Sequence, residues 1–260
     1  MATPTGGGMQ RILRGVLQYR KTVKANLVEQ FKRIRDNPRP TAVFFTCMDS
    51  RMLATRFTQA QVGDMFVVRN AGNIIPHATT YGNFGAEVSV TTEPAAIELG
   101  CVRGGIKHVV VCGHSDCKAM NTLHSMEQHP DQVNASSPLE MWLRRHGYAS
   151  ITKLDNLLKD KKPIQFLTEL PHYTFTAIID PENILAPADK LSQINTLQSV
   201  ENIASHPVIQ EHIAKNLLHL HAMWFDIYTG EVYYFSRQSK QFVLLDEAHI
   251  DKLLKELGDQ

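Results

Sequence analysis

Three short apolar runs constrain this chain more than any other feature. Residues 41–46 (TAVFFT), 65–69 (MFVVR) and 109–112 (VVVC) are brief and rich in β-branched and aromatic residues. Runs of this kind mark strands buried on both faces. Residues 93–101 (EPAAIELGC), between the second and third runs, have a helical pattern. Pro94 sits at an early helical position, and Gly104 and Gly105 lie beyond the end. Strands separated by helices predict an α/β fold: a mostly parallel sheet of four to five strands, flanked by helices. Sites in such sheets gather at the carboxyl ends of the strands. Cys47 ends the first run and His114 follows the third.

The remainder fits around that sheet. Residues 9–35 read as one or two amphipathic helices, stopped by Asn37-Pro38-Arg39-Pro40. Helical patterns recur at 139–160, 189–202, 209–216 and 247–257. Residues 161–188 contain Pro163, Pro171, Pro181 and Pro187 and read as irregular. Residues 219–228 and 231–236 read as a hairpin about the Thr229-Gly230 turn. With no repeat and no linker composition, residues 9–260 read as a single domain behind a flexible leader, 1–8. Residues 9–24 are basic, with no acidic residue before Glu29. Two readings stand: the first helix of the mature fold, or a mitochondrial targeting helix.

Composition narrows the function classes. Lys and Arg number 27 against 26 Asp and Glu, so no charge excess suggests nucleic acid or acidic lipid as a partner. No run approaches the roughly 18 apolar residues of a membrane span. The four cysteines, Cys47, Cys101, Cys112 and Cys117, are too sparse for a secreted disulfide framework. They fit buried thiols or metal ligands in a reducing compartment. Cys101 and Cys112 read as core residues.

The chemistry concentrates in CMDSR (47–51) and HSDC (114–117). Cys47, His114 and Cys117 would supply two thiolates and one imidazole from the ends of two strands. A Cys2His set occurs in catalytic zinc sites, where the fourth position is left to water or substrate. In an extended segment Cys47, Asp49 and Arg51 share a face. Asp49 there could take a proton from water, while Arg51 keeps it ionised and off the metal.

These motifs resemble the C-x-D-x-R and H-x-x-C pair of the β-class carbonic anhydrases. Residues 63–73 (GDMFVVRNAGN) and 221–227 (HAMWFDI), with the turn at 229–230, are similar to further segments of that family. Residues 41–52 and 217–237 resemble its animal branch, and the likeness spans about 9–257. The resemblance implies zinc on Cys47, His114 and Cys117, a catalytic dyad of Asp49 and Arg51, and carbon dioxide and bicarbonate as substrates. It implies a homodimer, with a dimer of dimers left open, and N-terminal helices reaching over the partner. The active site would lie near that interface, with Phe66 and Ala71 lining its apolar cleft. The animal likeness favours mitochondria over cytosol. Some family positions differ. Pro38 replaces a glutamine of the plant enzymes, Leu99 a tyrosine, Lys118 a glycine, and Phe44 a tryptophan of some bacterial relatives. The bicarbonate-gripping part of the pocket and the proton path therefore need other residues; His77 is a candidate relay, or simply a solvated loop histidine. A regulatory bicarbonate switch at Phe44 is not expected.

Other readings remain at this stage: the same scaffold acting on carbonyl sulfide or carbon disulfide, a cysteine-nucleophile enzyme, and a zinc-stabilised interaction module. A nucleotide-binding protein is disfavoured, since neither G-x-G-x-x-G nor a Walker loop occurs.

Overall fold

In a computed structural model that describes residues 7–81 and 91–258, six strands form the central sheet. In chain order the elements are helices α1 (Gly8–Thr22) and α2 (Lys24–Arg35), strand β1 (Ala42–Cys47), the short helix α3 (Ala54–Phe57), strand β2 (Met65–Asn70), helix α4 (Thr92–Ile97), strand β3 (His108–His114), and helices α5 (Lys118–Gln128) and α6 (Pro138–Asp160). There follow strands β4 (Ile164–Phe166) and β5 (Phe175–Ala177), helices α7 (Pro187–Ala204) and α8 (Pro207–Ala214), strands β6 (His219–Phe225), β7 (Val232–Ser236) and β8 (Gln241–Leu244), and helix α9 (Ile250–Gly258). The sheet order is β2-β1-β3-β6-β7-β8. The first four strands in this order are parallel, and β7 and β8 add antiparallel strands, with β8 at the edge.

The expected mostly parallel sheet is present, with β8 as one strand more than the patterning indicated. Its four residues, QFVL, are all half-buried, which blurs the alternation that marks a strand. Residues 161–188, read as irregular, contain a two-stranded antiparallel ribbon of β4 against β5, with Phe166 stacked on Phe175 at 4.9 Å. The helical pattern at 93–101 continues past α4 as a π-helical turn, Glu98–Arg103. Residues 1–6 of the expected leader lie outside the described residues, and α1 already begins at Gly8.

β1 is buried along its whole length, as a central parallel strand must be. β2 departs from the expectation of burial on both faces. It is the sheet edge, and Phe66 and Val67 are 42% and 40% exposed. The order β2-β1-β3 reverses direction between β1 and β3, which makes their carboxyl ends the switch point where such sheets open a crevice.

Helix α7 lies across this region. Nearly every residue in it is buried, polar ones included. Its polar side chains are spent on loop backbone. Asn195 Nδ2 donates to the Gly72 carbonyl at 2.9 Å, Ser199 Oγ to Asn73 at 3.1 Å and Asn202 Nδ2 to Ile75 at 2.7 Å. Gly113, on β3, lets α7 approach. A Cβ there would run into Thr196 Oγ1, which is itself bonded to the Ser192 carbonyl, and would crowd Trp224 at 3.3 Å. Gly113→Ala should therefore cost about 1–3 kcal/mol. Urea unfolding should show a lower midpoint with an unchanged m-value; an unshifted midpoint would contradict this close packing.

Candidate metal centre

Cys47 is the last residue of β1 and His114 the last of β3. Because β1 and β3 pair in parallel with Thr46 opposite Cys112, both residues emerge at the same end of the sheet. Cys117 follows His114 after a tight turn, in which Asp116 takes φ +48°, and α5 starts at the next residue. The two sulfurs are 3.9 Å apart. The ligand atoms of Cys47, His114 and Cys117 all lie within 4.8 Å of one another, and all three residues are buried.

Protonation states suit a cation. His114 Nδ1 is 2.8 Å from the Ser115 carbonyl oxygen, which can only accept, so Nδ1 carries the proton. Nε2 is then a bare lone pair, buried and without a hydrogen-bond partner. An orphaned buried acceptor is costly unless something coordinates it. Ser192 Oγ fixes the His114 backbone by donating to its carbonyl at 2.6 Å, and Trp224 Nε1 donates to Ser192 in turn at 3.1 Å.

The Cys47 thiol is pulled well below its usual range, chiefly by the hydrogen bond from Cys117 and further by backbone N–H groups of Asp49 and Gly72, against the opposing effect of burial. Cys117 moves up, first because its thiol hydrogen is held in the bond to Cys47, then through burial and the charge of Cys47 beside it. Both can ionise together only with a cation between them. The residues fit zinc: two soft thiolates and one imidazole with its outer nitrogen anchored. Cys101 and Cys112 stand apart. Both are buried and neither belongs to the cluster. Burial pushes Cys101 up to about 12 and raises Cys112 as well, so they remain thiols of the core, as expected.

Asp49 and Arg51 lie at the mouth. Arg51 binds Asp49 through two points, Nε to Oδ1 at 2.9 Å and Nη2 to Oδ2 at 2.7 Å, and its backbone N–H also reaches Oδ1. Hydrogen bonding to Arg51 holds the Asp49 carboxyl well below the usual carboxylate range, against the opposing effect of burial. Asp49 is thus ionised throughout neutral pH and kept off the cluster.

Three contributors went unnoticed in the sequence. Asp116 receives Arg51 Nη1 at 2.8 Å, and so ties the CMDSR turn to the HSDC turn. Arg51, followed by Lys118, holds Asp116 down at about 2. Asp189 of α7 accepts from the Asp116 backbone N–H at 2.7 Å. Arg69 of β2 clamps the first turn, donating to the carbonyls of Cys47 at 3.0 Å and Asp49 at 2.6 Å. The only signal for Asp116 was its place between two ligands. Arg69 carried none, since an arginine at a strand end reads as solvated.

The pocket residues divide. Ala71 directly follows Asn70, the register partner of Cys47, and its carbonyl accepts from Trp142 Nε1 at 3.1 Å. Phe66 pairs with Val43, four residues or about 13 Å back along the strand, so one chain does not bring it to the cluster. His77 is half-buried, with Nδ1 2.9 Å from Thr79 Oγ1.

Comparison with known proteins agrees with this geometry. A family profile described as carbonic anhydrase matches residues 42–232. Beta carbonic anhydrase 1 of Caenorhabditis elegans is 57% identical over 252 residues, 96% of this chain and 93% of its own length. The chain belongs to the β-class carbonic anhydrases. Members of this class are zinc lyases that interconvert carbon dioxide and bicarbonate, and the animal branch expected from the motifs is the one matched. The carbonic anhydrase of Synechococcus elongatus is 29% identical over 93% of this chain and 77% of its own. Among solved structures, the β-carbonic anhydrase CcaA superposes with a TM-score of 0.71 at 26% identity, covering 93% of this chain and 94% of that one. A β-carbonic anhydrase of Sordaria macrospora, tetrameric in its crystals, shares the fold with a TM-score of 0.62 at 22% identity, covering 86% of this chain and 97% of that one.

The ligand assignment separates the four cysteines. Zinc per chain, counted by plasma mass spectrometry after dialysis against a weak chelator, should survive Cys101→Ala and Cys112→Ala. It should be lost in Cys47→Ala, Cys117→Ala and His114→Ala. Retention of zinc in any of the last three would contradict the site.

Proposed function

We propose that this carbonic anhydrase hydrates carbon dioxide reversibly at a zinc held by Cys47, His114 and Cys117, with Asp49 and Arg51 as its catalytic dyad. The observation that carries the assignment of roles is the two-point Arg51–Asp49 pair beside a cluster of three ligands that excludes Asp49. When bound, zinc supplies a Lewis acid that makes water acidic near neutral pH. Asp49 accepts a hydrogen bond from the reacting water and so turns a lone pair toward the carbon of carbon dioxide. Arg51 stops Asp49 from becoming a ligand, and Asp116 and Arg69 stop Arg51 and the turn from shifting. Two thiolates donate more charge than imidazoles would, so hydration should rise above about pH 7.

The working unit is a homodimer, with a dimer of dimers as a further assembly. α1 and α2 support this reading. They bury no residue in their own chain, and Ile12, Leu13, Val16 and Leu17 are all more than half exposed. A partner covering them, and meeting the exposed edge strand β2, would place Phe66 and Ala71 in a cleft shared by two chains. The likeness to animal enzymes favours mitochondria over cytosol, and we take residues 9–260 as one domain. Among the described residues no helix is long and apolar enough to cross a membrane.

Stopped-flow hydration of carbon dioxide tests the activity. Zinc-replete protein should far exceed the buffer rate and a chelated sample should not. Arg51→Ala should fall by about 10–100-fold while retaining zinc. Asp49 is ionised well below neutrality, so no acid limb from it should enter the profile above about pH 5. Bound zinc with no hydration above buffer would point to another small linear substrate on this scaffold.

A further inference from the structure

At the opposite end of the sheet from the zinc cluster, three histidines gather on one face. His108 opens β3, and His219 and His221 lie at the first and third positions of β6. The parallel register sets His108 beside His219 and places His221 one step along the same face. His108 stacks on His219 with ring centroids 5.4 Å apart. Together with Tyr234, Met223 and Leu257 they line an open cavity of about 320 Å³.

The nitrogens are set for chelation. His108 Nδ1 and His221 Nε2 are 3.1 Å apart and share a hydrogen bond, whose hydrogen a bound cation would displace to the outer nitrogen of the donating ring. Two imidazole nitrogens, each about 2.0–2.1 Å from one zinc, come to about this separation across a tetrahedral angle. The remaining nitrogen of His221, Nδ1, is 2.9 Å from the Tyr234 hydroxyl. That is the outer hydrogen bond that orients a metal-binding imidazole. Burial, and then the neighbouring His108, push His221 down to about 3, and burial lowers His108 too. Both rings are therefore neutral at physiological pH and have a lone pair to offer. His108 is exposed at the start of its strand and gives the cavity an entrance, while His221 is buried.

We propose that His108 and His221 form a second, exchangeable site for a divalent late transition metal of the zinc class, separate from the catalytic centre. Imidazole is a fitting ligand for such cations, and the open side of the cavity leaves the remaining positions to water. The site has no thiolate to neutralise the cation. Lys107 and Arg237 also add positive charge nearby, so its affinity lies below that of the Cys47–His114–Cys117 cluster.

Zinc per chain, measured by plasma mass spectrometry on the full protein dialysed against buffered low-micromolar free zinc, tests this. Wild type should take up a second zinc per chain. His108→Asn, at an exposed strand start, should lose that second zinc and keep the first, with an unchanged circular dichroism spectrum. Cys117→Ser should lose the first and keep the second. A wild type that never exceeds one zinc per chain would overturn the proposal, as would a second zinc that persists in His108→Asn.

Discussion

Everything at this site depends on the parallel pairing of β1 with β3. The catalytic ligands are distant in the chain, Cys47 from one strand and His114 from another, and only a parallel register brings both to one sheet end. An antiparallel pairing would send them to opposite ends. The register in turn rests on burial. β1 is covered on both faces, and a slip by one residue would exchange the faces of Phe44 and Phe45, both fully buried.

On that frame the two turns are bound to each other by charge. Arg51 holds Asp49 with one part of its guanidinium and Asp116 with the other. Arg51 is 38% exposed, so as an isolated pair it would add little stability. Its value is positional. A planar, five-donor fork can satisfy two carboxylates in one geometry where an ammonium could not. The arrangement also settles a chemical choice, since a free Asp49 beside a cation would be a natural ligand. α7 completes the support from behind, with serine and asparagine side chains holding the 72–75 loop and the His114 carbonyl.

Much of this was legible in the sequence, and what was missed has a common cause. Short β-rich runs ending in Cys47 and preceding His114 pointed to an α/β sheet with chemistry at its carboxyl ends, and both features are there. Local patterning also located α6, α7 and the β6–β7 hairpin. Choices of long-range partner were not legible. Residues 65–69 read as a buried strand because the run is mostly apolar, yet it forms the sheet edge, and one chain leaves Phe66 far from the cluster. The pattern at 189–202 marked a helix but not the burial of its polar residues, which donate to loop carbonyls. Arg69 is invisible to any local rule, since its partners are carbonyls about twenty residues earlier.

The central claim is that this fold builds a centre with three protein ligands and holds Asp49 away from it. X-ray absorption at the zinc edge tests that most directly. The account predicts two sulfurs, one imidazole nitrogen and one light donor that exchanges with added small anions in wild type, with the exchange lost in Arg51→Ala as Asp49 closes on the metal. A wild-type shell already completed by a fixed carboxylate, or an Arg51→Ala shell that still exchanges, would contradict it.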